Sequence, residues 1–535
     1  MILPTFNSKK KKNMRSIFFS IILLWAVAAA GQASGPNFAK GYVYEDANQN
    51  GRRDKREKGL AGIGVSNGRE VVLTDDKGAY RLPVNDDAII FVIKPAGYRL
   101  PLTENNLPRF YYIHKPNGSP KETRYPGVDP TGPLPSSIDF ALLPGGEGND
   151  YTALVFGDPQ PLTDTELGYF EKGIVNELAG IQKVSFGISL GDLVWDDLSL
   201  QPKYIQVMKK IGLPWHNVMG NHDMNYEAKT DSLSDETYER NFGPATYSFN
   251  YGQVHYIIFD DVLYPDPRDG KGYWGGFRKD QLDFMENDLK LVPKDRLVIC
   301  SFHIPIQNYK DSYNEADRQR YFDLLEPFAN TLTLSAHTHL QRNDLYTEKD
   351  GWHGSKPHHE YNAGTTCGDW HSGELNEIGV PVSTMRDGTP KGYAFLRIKG
   401  NQYVIDYKVA GKPADYQIRL FTPKLAQQKR NTAGIYANFF MGRPDSKVEC
   451  RVDGGDWKPM NLVQDADPLY LDALHHYDFT ETPLTGRRPS NPENCTHLWR
   501  LPIPNNLSAG EHQVEVRATD MYGRTFQEKG SFKIM

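Results

Sequence analysis

Five short polar clusters are the residues of this chain most able to do chemistry: Gly157-Asp158-Pro159-Gln160, Gly191-Asp192, Gly220-Asn221-His222-Asp223, the lone His303 of Ser301-Phe302-His303-Ile304, and Ala336-His337-Thr338-His339. Carboxylate oxygen, amide oxygen and imidazole nitrogen together form a donor set for borderline divalent ions. One carboxylate, Asp192, can bridge two such ions. Taken singly the clusters are weak, because an Asp-Pro-Gln triplet is ordinarily a turn and a lone histidine after an apolar run is ordinarily a hydrogen-bonded core residue. His337 and His339 say more, since alternate residues of an extended chain point to one side.

Each cluster follows an apolar run: Ala153 to Phe156, Val184 to Leu190, Leu213 to Met219, Leu297 to Cys300, and Leu332 to Ser335. Runs of this length with helical stretches between them predict buried strands of a layered α/β domain. Residues at the carboxyl ends of such strands collect along one sheet edge. Leu282, Met285 and Leu289 fall at helical spacing, as do Tyr321, Leu325 and Phe328, so two amphipathic helices should pack on the sheet. Tyr247 to Gly252 followed by Val254 to Phe259 reads as a hairpin joining a second sheet layer.

The order of the clusters resembles the calcineurin-like metallophosphoesterase family, whose motifs run D-x-H, G-D-x-x-D, G-N-H-D/E, H and G-H-x-H. The resemblance implies a four-layer α/β metallophosphoesterase β-sandwich over residues 150–410 and hydrolysis of phosphomonoesters or phosphodiesters. By position, Asp158, Gln160, Asp192 and His339 would hold one divalent ion, and Asp192, Asn221, His303 and His337 a second, the metals being Mn, Fe, Zn or Mg. His222 would stand beside the phosphate and protonate the leaving oxygen. Three positions depart from the pattern. Gln160 replaces the usual His, Ala336 replaces a Gly, and Trp195 stands where the second Asp of G-D-x-x-D belongs. Asp196 and Asp223 are therefore the two candidates to orient His222, and Asp223 joins His222 as a candidate catalytic residue.

At 535 residues the chain is long enough for three or four domains, and 39% hydrophobic content supplies packed cores. A net charge of -6 argues against a large basic surface and so against nucleic acid as a partner, while the resemblance implies a small phosphorylated substrate. Lys9 to Lys12 and Arg15, then the uncharged run Ile17 to Ala30 and small residues to Ser34, read as a secretory signal peptide over 1–33. Export to the periplasm or medium of a bacterium follows, with no later run apolar enough to span a bilayer. Four cysteines suit that compartment; Cys450 and Cys495 could pair, while Cys300 reads as an inert thiol.

Residues 37–145 read as an all-β module with turn residues between short strands. Within it Asp46, Asn48, Asn50, Asp54 and Glu57 have the oxygen spacing of a calcium loop, with Gly51 at the bend. Residues 411–535 read as a second β-rich, Ig-like domain, with Gly510 to Ala518 alternating in character. This layout resembles secreted bacterial metallophosphoesterases with N- and C-terminal β domains. Trp370 and His371 leave the sheet near His339 and are candidate substrate contacts. The competing function is an exported binding protein whose phosphoesterase core has degenerated, for which Gln160 and Trp195 are the support.

Overall fold

The computed structural model describes residues 37–307, 311–429 and 431–535, so the signal-peptide segment lies outside the described residues. The catalytic core begins at three parallel strands, β1 (Asp150–Phe156), buried from Ala153 on, and β2 (Phe186–Leu190) and β3 (Trp215–Val218), buried throughout. Strands covered on both faces are mostly apolar, and of the polar residues inside them Ser189 bonds the Tyr204 hydroxyl and His216 that of Tyr247. A second sheet holds β4 (Tyr247–Tyr251), β5 (Val254–Ile258), β6 (Leu297–Ser301), β7 (Asn330–Ser335), β8 (Arg342–Tyr346) and β9 (His358–Asn362), in the order β4-β5-β6-β7-β9-β8. Its four inner strands run parallel, and β4 and β8 close the edges antiparallel. The hairpin β10 (Gly392–Lys399) and β11 (Gln402–Val409) then returns to the first sheet, with β10 antiparallel to β1.

The sheets face one another through aromatic rings. His216 on β3 stacks on Phe249 of β4 at 4.1 Å, and Phe186 meets Tyr256 edge-on at 5.5 Å. Helices cover the outer faces. On the first sheet lie α1 (Asp164–Phe170), whose N-terminus is capped by Thr163, and α2 (Gln201–Met208); Phe170 meets Phe156 of β1 at 6.2 Å. On the second lie α3 (Lys279–Leu289), burying Leu282, Met285 and Leu289 as its spacing predicts, and α4 (Glu315–Leu325), which buries Tyr321 and Leu325 but ends before Phe328, buried just past the helix. The result is the helix, sheet, sheet, helix layering expected of the core.

The N-terminal module consists of two four-stranded sheets, and its strand Ala79–Val84 turns Tyr80, Leu82 and Val84 inward by simple alternation. The Pro- and Gly-rich stretch from Lys115 to Pro135 has the composition of a linker, yet its start is packed on the core. Lys115 is buried and its ammonium meets Glu236 and Glu239 at 2.7 Å each. The C-terminal region pairs a four-stranded with a five-stranded sheet and adds the helix Pro468–Phe479. Cys450 and Cys495 do not pair; all four thiols are free and buried. Cys495 instead lies 3.4 Å from His497 Nδ1.

Candidate metal centre

Every one of the five clusters sits just past the carboxyl end of a parallel strand, β1, β2, β3, β6 or β7. Two glycines permit the strand ends to close on one another. A Cβ on Gly191 would lie 2.5 Å from His303 Nδ1, and one on Gly220 would lie 2.3 Å from Asp192 Oδ1. Among the described residues thirteen non-glycine positions have positive φ, and seven of them are here: Asp158, Gln160, Asp192, His337, His339, Trp370 and His371. Left-handed backbone costs such residues of order 1–3 kcal/mol each and persists where the surroundings enforce it, which is typical of functional sites.

The donors converge. Asn221 Oδ1, Asp192 Oδ2 and His337 Nδ1 lie 3.1, 3.2 and 3.1 Å from His303 Nε2. Ligands held about 2.1 Å from one ion in tetrahedral or octahedral geometry are separated by about 3.0–3.4 Å, so this group has the spacing of a coordination shell. His303 Nδ1 stands 2.8 Å from the Leu190 carbonyl, to which it donates, leaving the Nε2 lone pair turned inward. Beside this group, Asp158 Oδ1 is 3.6 Å from His339 Nε2, and His339 Nδ1 donates to Gly368 O at 2.8 Å. Asp158 Oδ1 and Gln160 Oε1 are both buried with no hydrogen-bond partner. Orphaned buried oxygens are costly, and a cation is the partner that suits two oxygens and an imidazole nitrogen at once. The residues present thus fit divalent ions.

Electrostatics divides the cluster. Burial works against charge on Asp192, but His303 and His222 outweigh it and hold this carboxyl well below the usual range. Burial likewise opposes charge on His303, yet Asp192 raises it to about 10. Burial pushes Asp158 up to about 8 and lowers His337 and His339 to about 3 and about 4. Protons thus supply the positive charge that the carboxylates demand. With a divalent ion held here, Asp158 would be ionised and His303 neutral, so binding would release protons.

Of the two candidates to orient His222, the structure brings up Asp196. Its Oδ1 is 2.6 Å from His222 Nδ1, and the backbone N–H of His222 donates to Asp192 Oδ1 at 2.9 Å. Asp223 does other work: fully buried, it accepts the N–H groups of Leu193 and Gly220 at 3.1 and 3.0 Å and so ties two strand ends together. Trp370 stacks on the His339 ring at 4.3 Å, whereas His371 turns away and meets the Pro159 carbonyl at 3.2 Å. Asp261 was not among the sequence candidates. It follows β5 as the other clusters follow their strands, and it accepts the N–H of His303 at 3.0 Å and that of Ile304 at 3.1 Å. That shared position at a strand end was the signal available for finding it.

The N-terminal loop brings Asp46, Asn48, Asn50, Asp54 and Glu57 together as well, but its oxygens answer the loop's own N–H groups. Asp46 accepts from Asn50 and Gly51, Glu57 from Ala47 and Asp54, and Asp54 from the side-chain amides of Asn48 and Asn50.

Comparison with known proteins agrees with this geometry. Family models match in three consecutive blocks: the N terminal of calcineurin-like phosphoesterase over residues 47–127, calcineurin-like phosphoesterase over 151–341, and the C terminal of calcineurin-like phosphoesterase over 360–526. The chain is a calcineurin-like phosphoesterase. As a member of that family it is a metal-dependent phosphoric ester hydrolase. The C-terminal block begins at β9, so the family's own division assigns the hairpin β10 and β11 to that block although it completes the core sheet. Solved structures similar to this phosphoesterase include purple acid phosphatase PPD1 from yellow lupin (Lupinus luteus) seeds, at 13% identity over 70% of this chain and 67% of that one, TM-score 0.35. Vps29 of Chaetomium thermophilum is similar at 9% identity over 72% and 98%, TM-score 0.20. At these scores neither adds to the family assignment. No curated protein matches the sequence.

Proposed function

We propose that this phosphoesterase works with two divalent ions and acts outside the cytoplasm on small phosphorylated substrates. The observation that carries the two-ion reading is the position of Asp192. Its Oδ2 faces the His303, Asn221 and His337 group, while Gln160 approaches the same oxygen at 2.9 Å from the side of Asp158 and His339. Asp158, Gln160, Asp192 and His339 would hold one ion, and Asp192, Asn221, His303 and His337 the other. When bound, the ions supply charge neutralisation for the phosphate oxygens and activation of the attacking water.

The chain's own residues do the rest. Leu190 O and Gly368 O fix the tautomers of His303 and His339, so that each presents a lone pair inward. Asp196 takes the Nδ1–H of His222 and leaves Nε2 free to donate its proton to the departing alcohol oxygen. Export rests on the basic and then apolar N-terminal sequence; among the described residues no helix is long and apolar enough to cross a membrane. Sequencing the N-terminus of the mature protein tests it, and retention of residues 1–33 would remove it.

One observation favours the competing reading of a degenerate core used for binding. Gln160 donates to Asp192 through its amide nitrogen, where the family's histidine would present a lone pair. Turnover decides between the two. Hydrolysis of p-nitrophenyl phosphate or its bis-ester with added Mn, lost on chelation and restored by Mn, is the expected result. Tight metal binding without hydrolysis of either ester would favour the binding protein, and the ratio of the two esters separates monoesterase from diesterase.

A further inference from the structure

The residue that breaks the family motif has an evident place at the mouth of the site. Trp195 lies with its ring 5.1 Å from His222 and 6.2 Å from Trp370, and Trp370 in turn stacks on His339. Both tryptophans are only partly buried. A continuous aromatic wall therefore runs from a metal-ligand histidine to the histidine that faces the leaving oxygen. Resting on the reading of His222 as proton donor, the group attached to that oxygen must leave the site beside Trp195. Substituting an aspartate by an indole at this spot removes a charge and adds a large flat apolar face, a change that orientation of His222 does not require because Asp196 performs it.

The wall is held from behind by the C-terminal domain. Arg487 donates to the carbonyls of Trp370 and Asp369. Gly373 N–H donates to Arg487 O at 2.7 Å, and Ser490 N–H donates to Asp369 Oδ2 at 2.7 Å. Trp370 has φ +47, a conformation that an indole-bearing residue does not keep without such external ties. Arg386, 5.5 Å from the Trp370 ring, adds a cation over its face.

We propose that Trp195 and Trp370 form a subsite for the alcohol side of the ester, selecting phosphate esters whose alcohol carries a flat aromatic or heteroaromatic ring one or two bonds from the ester oxygen. Arg487 is a positioning residue for this subsite. An aromatic ring stacked on such a wall gains about two- to tenfold in selectivity beyond what its larger buried area adds.

The test compares benzyl with propyl phosphate, and their methyl diesters, because the two alcohols are similar in acidity and differ in the ring. The full chain loaded with Mn should favour benzyl over propyl esters in kcat/KM by about tenfold. Trp195→Ala and Trp370→Ala should abolish that ratio through KM on the benzyl ester, and Trp370→Phe should keep most of it. Arg487→Ala should lower the ratio about threefold, again through KM. Metal content, measured on each variant, separates loss of the wall from loss of the centre. Equal rates on the two esters in the wild type, or an unchanged ratio in both tryptophan variants, would overturn the subsite. If the wild type hydrolyses no ester, the phosphoesterase reading fails separately. Calorimetric binding of benzyl and propyl phosphate to the Mn-loaded protein then decides the subsite, with equal affinities overturning it and a benzyl preference lost in Trp195→Ala supporting it.

Discussion

Two regions of this molecule gather aspartate and asparagine side chains, and they do so in opposite ways. The rim of the core collects side chains from five strands, 158 to 339 in sequence, and leaves Asp158 Oδ1 and Gln160 Oε1 buried without partners. The loop from Asp46 to Glu57 collects side chains from a dozen consecutive residues and answers its carboxylates with its own N–H groups. A cluster built from distant strands is paid for by the whole fold and remains unsatisfied until a cation arrives. A cluster built locally is a turn that happens to be rich in oxygen.

If the rim depends on a cation and the loop does not, disruption should be far larger at the rim. Asp192→Ala removes the oxygen that serves both halves of the centre. Metal neutralisation of transition-state charge is worth several kcal/mol, so turnover should fall on the order of 10³-fold, with metal content falling in parallel. Full metal content with wild-type rates would break the contrast. Next in size is the pair of His222 and Asp196. His222→Ala should cost about 10²-fold in kcat with metal retained, the usual size of a general-acid contribution. Asp196→Asn, which only orients that histidine, should cost about tenfold. A larger loss for Asp223→Asn than for Asp196→Asn would appear in stability rather than in kcat, since Asp223 ties backbone amides together.

The same division separates the histidines. At the rim they keep a ring nitrogen aimed at the centre. In the sheets His358 has hydroxyls of Thr331 and Thr333 on its two nitrogens, and His359 has Tyr403 and Asn343. Burial holds His216, His358 and His359 down to about 3, so each is neutral in the fold. Their folded pKa lies below the unfolded value near 6.5, so the unfolded chain binds the protons. Their contribution is complete above about pH 6.5 and drains away as pH falls toward 3, at most about 2 kcal/mol per group by pH 5. Denaturant unfolding between pH 7 and 5 should show that slope, and His358→Gln should flatten it by about one proton. An unchanged slope in the variant would remove this assignment.

Much of the rim was legible because its residue types announce themselves at strand ends. The apolar runs before Asp158, Asp192, Asn221, His303 and His337 are the strands, and parallel strands place their carboxyl ends together. The hairpin β10 and β11 was not legible in the same way. It comes after the last motif and joins the first sheet beside β1, a pairing across more than 230 residues that no local pattern encodes. The role of Asp196 was only half legible: Trp195 moves the carboxylate one residue on, so spacing left Asp196 and Asp223 as equal candidates until the contact with His222 Nδ1 separated them. The packing of Lys115 was masked by its neighbours, since Pro and Gly read as linker whether or not a buried ion pair anchors them.

The smallest effect belongs to the loop. Calcium could reach the remaining lone pairs of Asp46, Asp54 and Glu57, but it would have to turn the Asn48 and Asn50 amides, whose nitrogens now point at Asp54 Oδ2 from 2.7 and 2.9 Å. Arg52 and Arg53 add positive charge to the same loop. Such a site falls in the weak range of extracellular modules, with a dissociation constant of about 1 mM. At an equal free concentration the linkage is RT ln 2, about 0.4 kcal/mol, so 1 mM calcium should raise the unfolding temperature by no more than about 1–2 °C. Asp54→Asn should erase even that, while leaving Mn-dependent turnover at the rim untouched. A rise of many degrees would mean that the loop, like the rim, depends on an ion to complete it, and the contrast between local and long-range clusters would not hold in this chain.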